Sequence, residues 1–175
     1  LQPKHPWFPS FRLQSIQSEQ CPSDSVCIVG GGFGGLYTAL KLTHENPELS
    51  IILIDPKDKF VFLPLLYELA REQSSVVEVA PLYSDLLEDT PIKFVQAQVS
   101  GIDFEKQELS LLNTVPGEGG ILPPIPYSNL VLATGCAPRV DMIPGTVENA
   151  IPFSTVGDAQ RLKTRLRSLL DSEER

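Results

Sequence analysis

The stretch Val26-Cys27-Ile28-Val29-Gly30-Gly31-Gly32-Phe33-Gly34-Gly35-Leu36-Tyr37-Thr38-Ala39-Leu40 decides the fold. It begins as a short apolar run, the pattern of a strand buried on both faces. It ends with Leu36, Ala39 and Leu40 at helical spacing, so a helix is expected over about 33–45. Between the two lies a glycine cluster in which Gly30, Gly32 and Gly35 fill a G-x-G-x-x-G pattern. Gly30 permits the tight turn out of the strand. Gly32 lets the backbone approach a pyrophosphate, because a Cβ there would collide with it. Gly35 lets the helix pack closely on the strand, and Ala39 suits the same close packing. The helix start, with Phe33 and Gly34 in its first turn, offers free N–H groups and a positive dipole end to phosphate.

The next apolar run, Ile51-Ile52-Leu53-Ile54, predicts a second buried strand. Strand, helix, strand is the βαβ order, which implies a right-handed crossover and a parallel sheet. Asp55 ends that second strand, 20 residues after Gly35. A carboxylate there can accept hydrogen bonds from both ribose hydroxyls of an adenosine, and it disfavours a 2′-phosphate, so FAD or NAD fits better than NADP. The competing reading of the same residues is a glycine-rich turn that binds nothing.

Further along, short helices are expected around 64–71 and 81–88, and strands over 92–99 and 107–112 with a turn near Glu105-Lys106, which together suit an antiparallel ribbon beside the main sheet. Residues 113–126 hold glycines and the prolines 116, 123, 124 and 126, the composition of a surface loop. Leu130-Val131-Leu132 predicts another buried strand ending at Ala133-Thr134-Gly135. A last helix is expected over 156–170, started by a Thr155/Asp158 capping box, with Ala159, Leu162, Leu166, Leu169 and Leu170 on one face. Arg161, Lys163, Arg165 and Arg167 give that helix a basic face, expected to be solvated. Residues 1–24, rich in proline, serine and glutamine, are expected to form a flexible arm.

Composition excludes some function classes. A net charge of -8 argues against a nucleic-acid partner, whose phosphates reward clustered Lys and Arg. The compact apolar patch Phe60–Tyr67 is interrupted by Pro64 and far too short to span a bilayer. Cys21, Cys27 and Cys136 are odd in number and widely spaced, so neither a disulfide framework nor a metal cluster is indicated, and His5 and His44 pair into no metal site. Cys27 is expected to be a buried small apolar residue and His44 a surface one.

Two further stretches carry a family resemblance. Leu130 to Gly135, followed by Pro138, resembles the second FAD contact of the glutathione-reductase-like flavoproteins, where small residues let the backbone pass close to the cofactor. Asp58-Lys59-Phe60-Val61-Phe62-Leu63-Pro64-Leu65-Leu66-Tyr67-Glu68-Leu69-Ala70, with Glu78-Val79-Ala80-Pro81 after it, resembles type II NAD(P)H:quinone oxidoreductases, in the plastid and cyanobacterial branch associated with prenylated quinones, including a phylloquinone precursor. Disulfide reductases of the same fold carry a Cys-x4-Cys pair after the first helix, and this chain has none.

The resemblance implies a Rossmann-like α/β FAD-binding domain with a parallel sheet plus an antiparallel β-meander, incomplete in this chain. Residues 25–155 would be its first part, and 156–175 a helix leading to an NAD(P)H-binding domain outside the chain. It implies FAD contacts at Gly30, Gly32, Phe33, Gly34, Gly35, Asp55, Pro64, Leu65, Val99, Ala133, Thr134 and Gly135, with no catalytic residue assignable. The parent protein would pass electrons from NAD(P)H through flavin to a prenylated quinone. It would sit on a plastid, mitochondrial or bacterial membrane face through a carboxy-terminal part, and a homodimer is compatible with the family. Two alternatives stay open: another flavoprotein of this fold (ferredoxin-reductase-like or apoptosis-inducing-factor-like), and a non-catalytic nucleotide-binding module.

Overall fold

The computed structural model describes residues 25–173; the expected amino-terminal arm, with His5 and Cys21, lies outside them. The chain runs β1 (Ser25–Val29), α1 (Phe33–Glu45), β2 (Ser50–Asp55), a 3-10 turn (Leu63–Leu65), α2 (Leu66–Ala70), α3 (Val76–Val79), α4 (Tyr83–Leu86), β3 (Lys93–Asp103), β4 (Glu108–Asn113), β5 (Gly120–Pro126), β6 (Asn129–Leu132), α5 (Thr146–Asn149) and α6 (Val156–Glu173). The six strands form one sheet in the order β5-β4-β3-β2-β1-β6. β3, β2, β1 and β6 are parallel neighbours, and β4 and β5 extend the sheet antiparallel from β3.

Both faces of the central strands β1 and β2 are covered, which is why residues 26–29 and 51–54 are apolar. Alternate residues Val26, Ile28, Ile51 and Leu53 face one core with Leu36 and Ala39 of α1, Phe60, Tyr83 and Leu87. The intervening Cys27, Val29, Ile52 and Ile54 face a second core with Ala97, Leu109, Leu111, Ile125 and Tyr127, so the ribbon closes the other side of the sheet. Cys27 is fully buried there and His44 is exposed on α1, as their sequence contexts predict.

The ribbon corrects one expectation. Residues 120–126 are not loop but the edge strand β5, paired with β4 from Glu108↔Pro126 to Asn113↔Gly120. Prolines 123, 124 and 126 are tolerated because an edge strand has one side free of ladder hydrogen bonds. The turn at 103–107 is where expected: the Asp103 carboxylate accepts the backbone N–H groups of Glu105 at 3.1 Å and Lys106 at 2.9 Å. β3 is longer than its apolar pattern suggests and carries an irregularity between Val99 and Gly101.

A third core joins α6 to α2: Leu66, Leu69 and Ala70 pack with Val79 and Ala159, flanked by Val156 and Leu162. Beyond Leu162 the apolar stripe of α6 lies open, with Leu166 and Leu170 exposed. Its basic face is not simply solvated, because Lys163 and Arg167 both reach the Glu72 carboxylate just past α2. The capping box forms: Asp158 N–H donates to Thr155 Oγ1 at 3.1 Å and Thr155 N–H to the Asp158 carboxylate at 2.9 Å.

Asp158 also accepts from Ser154 N–H at 3.1 Å and Arg161 at 2.6 Å while being buried. The Arg161 guanidinium, then the Ser154 and Thr155 donors, hold its carboxyl well below the usual carboxylate range despite opposing burial. A carboxylate with a depressed folded-state pKa stabilises above its unfolded value and loses that stabilisation as pH falls below about 4. Asp158→Ala should therefore cost about 1–2 kcal/mol at pH 7, the scale of a lost cap. Melts of both proteins should converge as the pH drops below about 4; a gap unchanged by acid would contradict this role.

Candidate functional site

A cleft of about 840 Å³ opens at the carboxyl ends of the parallel strands. Its floor comes from Val29 and Gly30 at the end of β1, Ile54 and Asp55 at the end of β2, and Leu132 and Thr134 at the end of β6. β1 lies between β2 and β6, so the strand order reverses there. A crevice at such a switch point is where open parallel sheets bind ligands.

The glycine turn is built mainly by the protein's own close contacts. Gly30 has φ +99°, and a Cβ on it would lie 2.3 Å from the Ala133 carbonyl oxygen, so β6 can approach β1 only over a glycine. The Gly30 N–H donates to Ile54 O and the Ala133 N–H to Val29 O, both at 2.8 Å. A Cβ on Gly35 would sit 1.7 Å from Gly30 O, and one on Gly31 would sit 2.1 Å from the Tyr83 hydroxyl. Gly32 differs. A Cβ there meets no atom within 4 Å, and the residue lines the cleft. Packing within the protein therefore does not require glycine at 32, whereas a group seated in the cleft against the backbone would.

Gly32 is also the N-cap of α1, with no side-chain cap and no acidic residue in the first turn. The first N–H groups of a helix lack intrahelical partners, and here no residue of the first turn neutralises the positive end of the dipole. Such an end favours an anion.

Asp55 anchors this turn. One carboxylate oxygen accepts Gly31 N–H at 2.7 Å and the other accepts Lys57 N–H at 2.8 Å. A carboxylate has about four acceptor sites, so both oxygens keep capacity for hydroxyl donors in the cleft. Lys57 and Lys59 line the same side.

Of the residues singled out from sequence, the cleft brings together Gly30, Gly32, Phe33, Asp55, Val99 and Thr134. Gly34 and Gly35 lie in the first turn of α1, Ala133 backs onto Gly30, and Gly135 is exposed at φ +70°. Pro64 and Leu65 do not line the cleft: Pro64 is exposed and Leu65 packs on the third core. A 3-10 turn spreads successive side chains around its axis, so Leu63 reaches the cleft where Pro64 and Leu65 do not, and Val61 joins it from just before the turn. Phe33 meets Phe60 at 5.1 Å and Phe62 at 5.3 Å, fixing the start of α1 against that segment.

Sequence reading missed several contributors. Beside the expected Val99, Gln98 and Ser100 to Ile102 of β3 form one wall, and Ser154 and Thr155 reach in from the start of α6. Cys136 lies at the rim. Another is Tyr83, a buried residue whose hydroxyl donates to Gly31 O at 2.8 Å. Nothing in the local pattern around Tyr83 signals a partner 52 residues away. Among the described residues no group of His, Cys, Asp and Glu could hold a metal ion, and no helix is long and apolar enough to cross a membrane.

Comparison with known proteins gives a consistent picture. A family model described as pyridine nucleotide-disulphide oxidoreductase matches residues 24–172. A demethylphylloquinone reductase of Synechocystis is 39% identical over 150 residues, spanning 82% of this chain and 36% of that protein. An alternative NAD(P)H-ubiquinone oxidoreductase of Arabidopsis thaliana, chloroplastic and mitochondrial, is 41% identical over 155 residues, spanning 82% of this chain and 30% of that one. The sulfide:quinone oxidoreductase structure from Aquifex aeolicus superposes with a TM-score of 0.71 at 28% identity, over 85% of this chain and 32% of that one. The chain thus spans about a third of the length of these relatives.

Proposed function

The chain belongs to the pyridine nucleotide-disulphide oxidoreductase family, and from that premise we propose that it supplies the first part of an FAD site in an NAD(P)H:quinone oxidoreductase. The observation that carries the reading is Gly32, a glycine which internal packing does not require, at the uncapped start of a helix in a switch-point cleft. The FAD pyrophosphate would lie against Gly32 and the first turn of α1, with its adenosine ribose at Asp55. Val61, Leu63, Val99 and Thr134 would form the walls. Gly34, Gly35, Pro64, Leu65, Ala133 and Gly135 would support those walls from behind or from the rim.

The flavin, when bound, supplies hydride acceptance and electron delivery. The chain's own residues bind and orient it: backbone N–H groups hold the anion, Asp55 fixes the turn and accepts hydroxyl donors, and apolar walls exclude water. Residues 25–155 form the FAD-binding part in this reading, with α6 leading toward a nicotinamide-binding region. A prenylated quinone would be the acceptor; the Synechocystis and Arabidopsis proteins are named for demethylphylloquinone and ubiquinone. Peripheral attachment to an organelle or bacterial membrane accompanies that assignment.

The full-length protein should purify with visible flavin bands and release FAD, not FMN, on denaturation; a colourless folded protein would sink the reading. Asp55→Asn should lower FAD affinity about tenfold or more. The amide keeps one acceptor oxygen, so one of the two backbone donors now on Asp55 loses its partner, at about 1–3 kcal/mol. Fluorescence titration of apoprotein with FAD checks this.

A further inference from the structure

We propose that Tyr83 is a positioning residue for the anion cradle: its hydroxyl sets the Gly31–Gly32 peptide so that the Gly32 N–H is turned toward the cleft and available to a dinucleotide pyrophosphate. The proposal rests on the FAD-site reading above and extends it to a residue outside the glycine motif.

Tyr83 begins α4, reaches the cleft beside the glycine turn and is 2% exposed. Its ring stacks on Phe94 of β3 with centroids 4.5 Å apart, and its backbone N–H donates to Asp58 O at 3.0 Å. The ring is thus held between the sheet and the segment that follows Asp55. Burial, and then the nearby Asp55 charge, push the phenol above its ordinary pKa, so it remains an O–H donor at physiological pH.

That donor meets Gly31 O at 2.8 Å, while Gly31 N–H meets Asp55 at 2.7 Å. Gly31 is therefore held at both of its peptide groups, and it must be glycine because a Cβ would lie 2.1 Å from the phenol oxygen. Peptide bonds among the described residues are trans. In a trans peptide the C=O and the next N–H lie in one plane and point in opposite directions. Holding the Gly31 C=O on Tyr83 thus turns the Gly32 N–H away from the phenol, and Gly32 borders open cleft.

The test uses the full-length flavoprotein. Tyr83→Phe keeps the ring and its stack on Phe94 but removes the donor. The dissociation constant for FAD should rise about 5–15-fold, the scale of one buried hydrogen bond. The 31P resonances of the bound pyrophosphate should move, and the visible flavin bands should stay in place. Phe94→Leu loosens the same packing without touching the hydroxyl and should leave the 31P signals where they are. Tyr83→Met gives a second reading without the donor. Unchanged 31P signals and affinity in folded Tyr83→Phe would overturn the proposal. So would an equal 31P change in Phe94→Leu, or the collapse of both Tyr83 variants, since the side chain would then serve the fold alone. A wild-type protein without FAD would be a different failure, that of the FAD-site reading itself.

Discussion

Gly35→Ala should destabilise the domain by about 3 kcal/mol or more, although alanine is the better helix former by about 1 kcal/mol. The new Cβ would lie 1.7 Å from Gly30 O, 2.9 Å from Gly30 C and 3.3 Å from Ile28 Cγ2. No side chain can swing aside, because the offending atoms are backbone. Gly30 itself cannot retreat: its N–H is bonded to Ile54 O at 2.8 Å, and its α-carbon abuts Ala133. Relief requires α1 to lift away from β1, which uncovers Leu36 and Ala39, now 3% and 0% exposed. Opening a packed helix–sheet interface belongs to the few mechanisms with large single-residue costs. Urea unfolding should show a much lower midpoint for the variant, and flavin should be lost as a consequence of the damaged turn. An unchanged midpoint would show that the close approach of α1 to β1 is not what Gly35 serves.

How much of this was legible in the sequence follows from the range of the contacts. β1, α1, β2 and the Thr155/Asp158 box depend on neighbours within a turn or on the apolar period, and those patterns stand in the chain itself. β5 was hidden because its prolines and glycines signal a loop unless the strand is known to be an edge. The place of Asp55 at the cleft was legible by position, but its grip on Gly31 and Lys57 needed the geometry. Tyr83 and, apart from Val99, the β3 wall were not legible: each enters the cleft through pairing in the fold. The same holds for Lys163 and Arg167. Their charges suggested a solvated face until α2 brought Glu72 beside them.

Gly32→Val should produce the opposite phenotype to Gly35→Ala: a folded domain without flavin. At Gly32 the backbone has φ -62° and ψ -169°, an extended conformation open to valine, and a Cβ meets nothing within 4 Å. Replacing glycine at an N-cap by an apolar residue costs about 1 kcal/mol at most, so the melt should shift by only a few degrees. The valine methyl groups would instead occupy the cleft beside the first N–H groups of α1. A pyrophosphate held there loses both its space and the charge-assisted hydrogen bonds it makes to those amides. Affinity for FAD should fall about a hundredfold or more, roughly 3 kcal/mol. The purified full-length variant should be colourless yet melt cooperatively near the temperature of the flavin-free wild-type protein. Retained flavin would sink the pyrophosphate assignment at Gly32. A melt as depressed as that of Gly35→Ala would show instead that position 32 serves the fold, and the case for a ligand in this cleft would lose the observation it rests on.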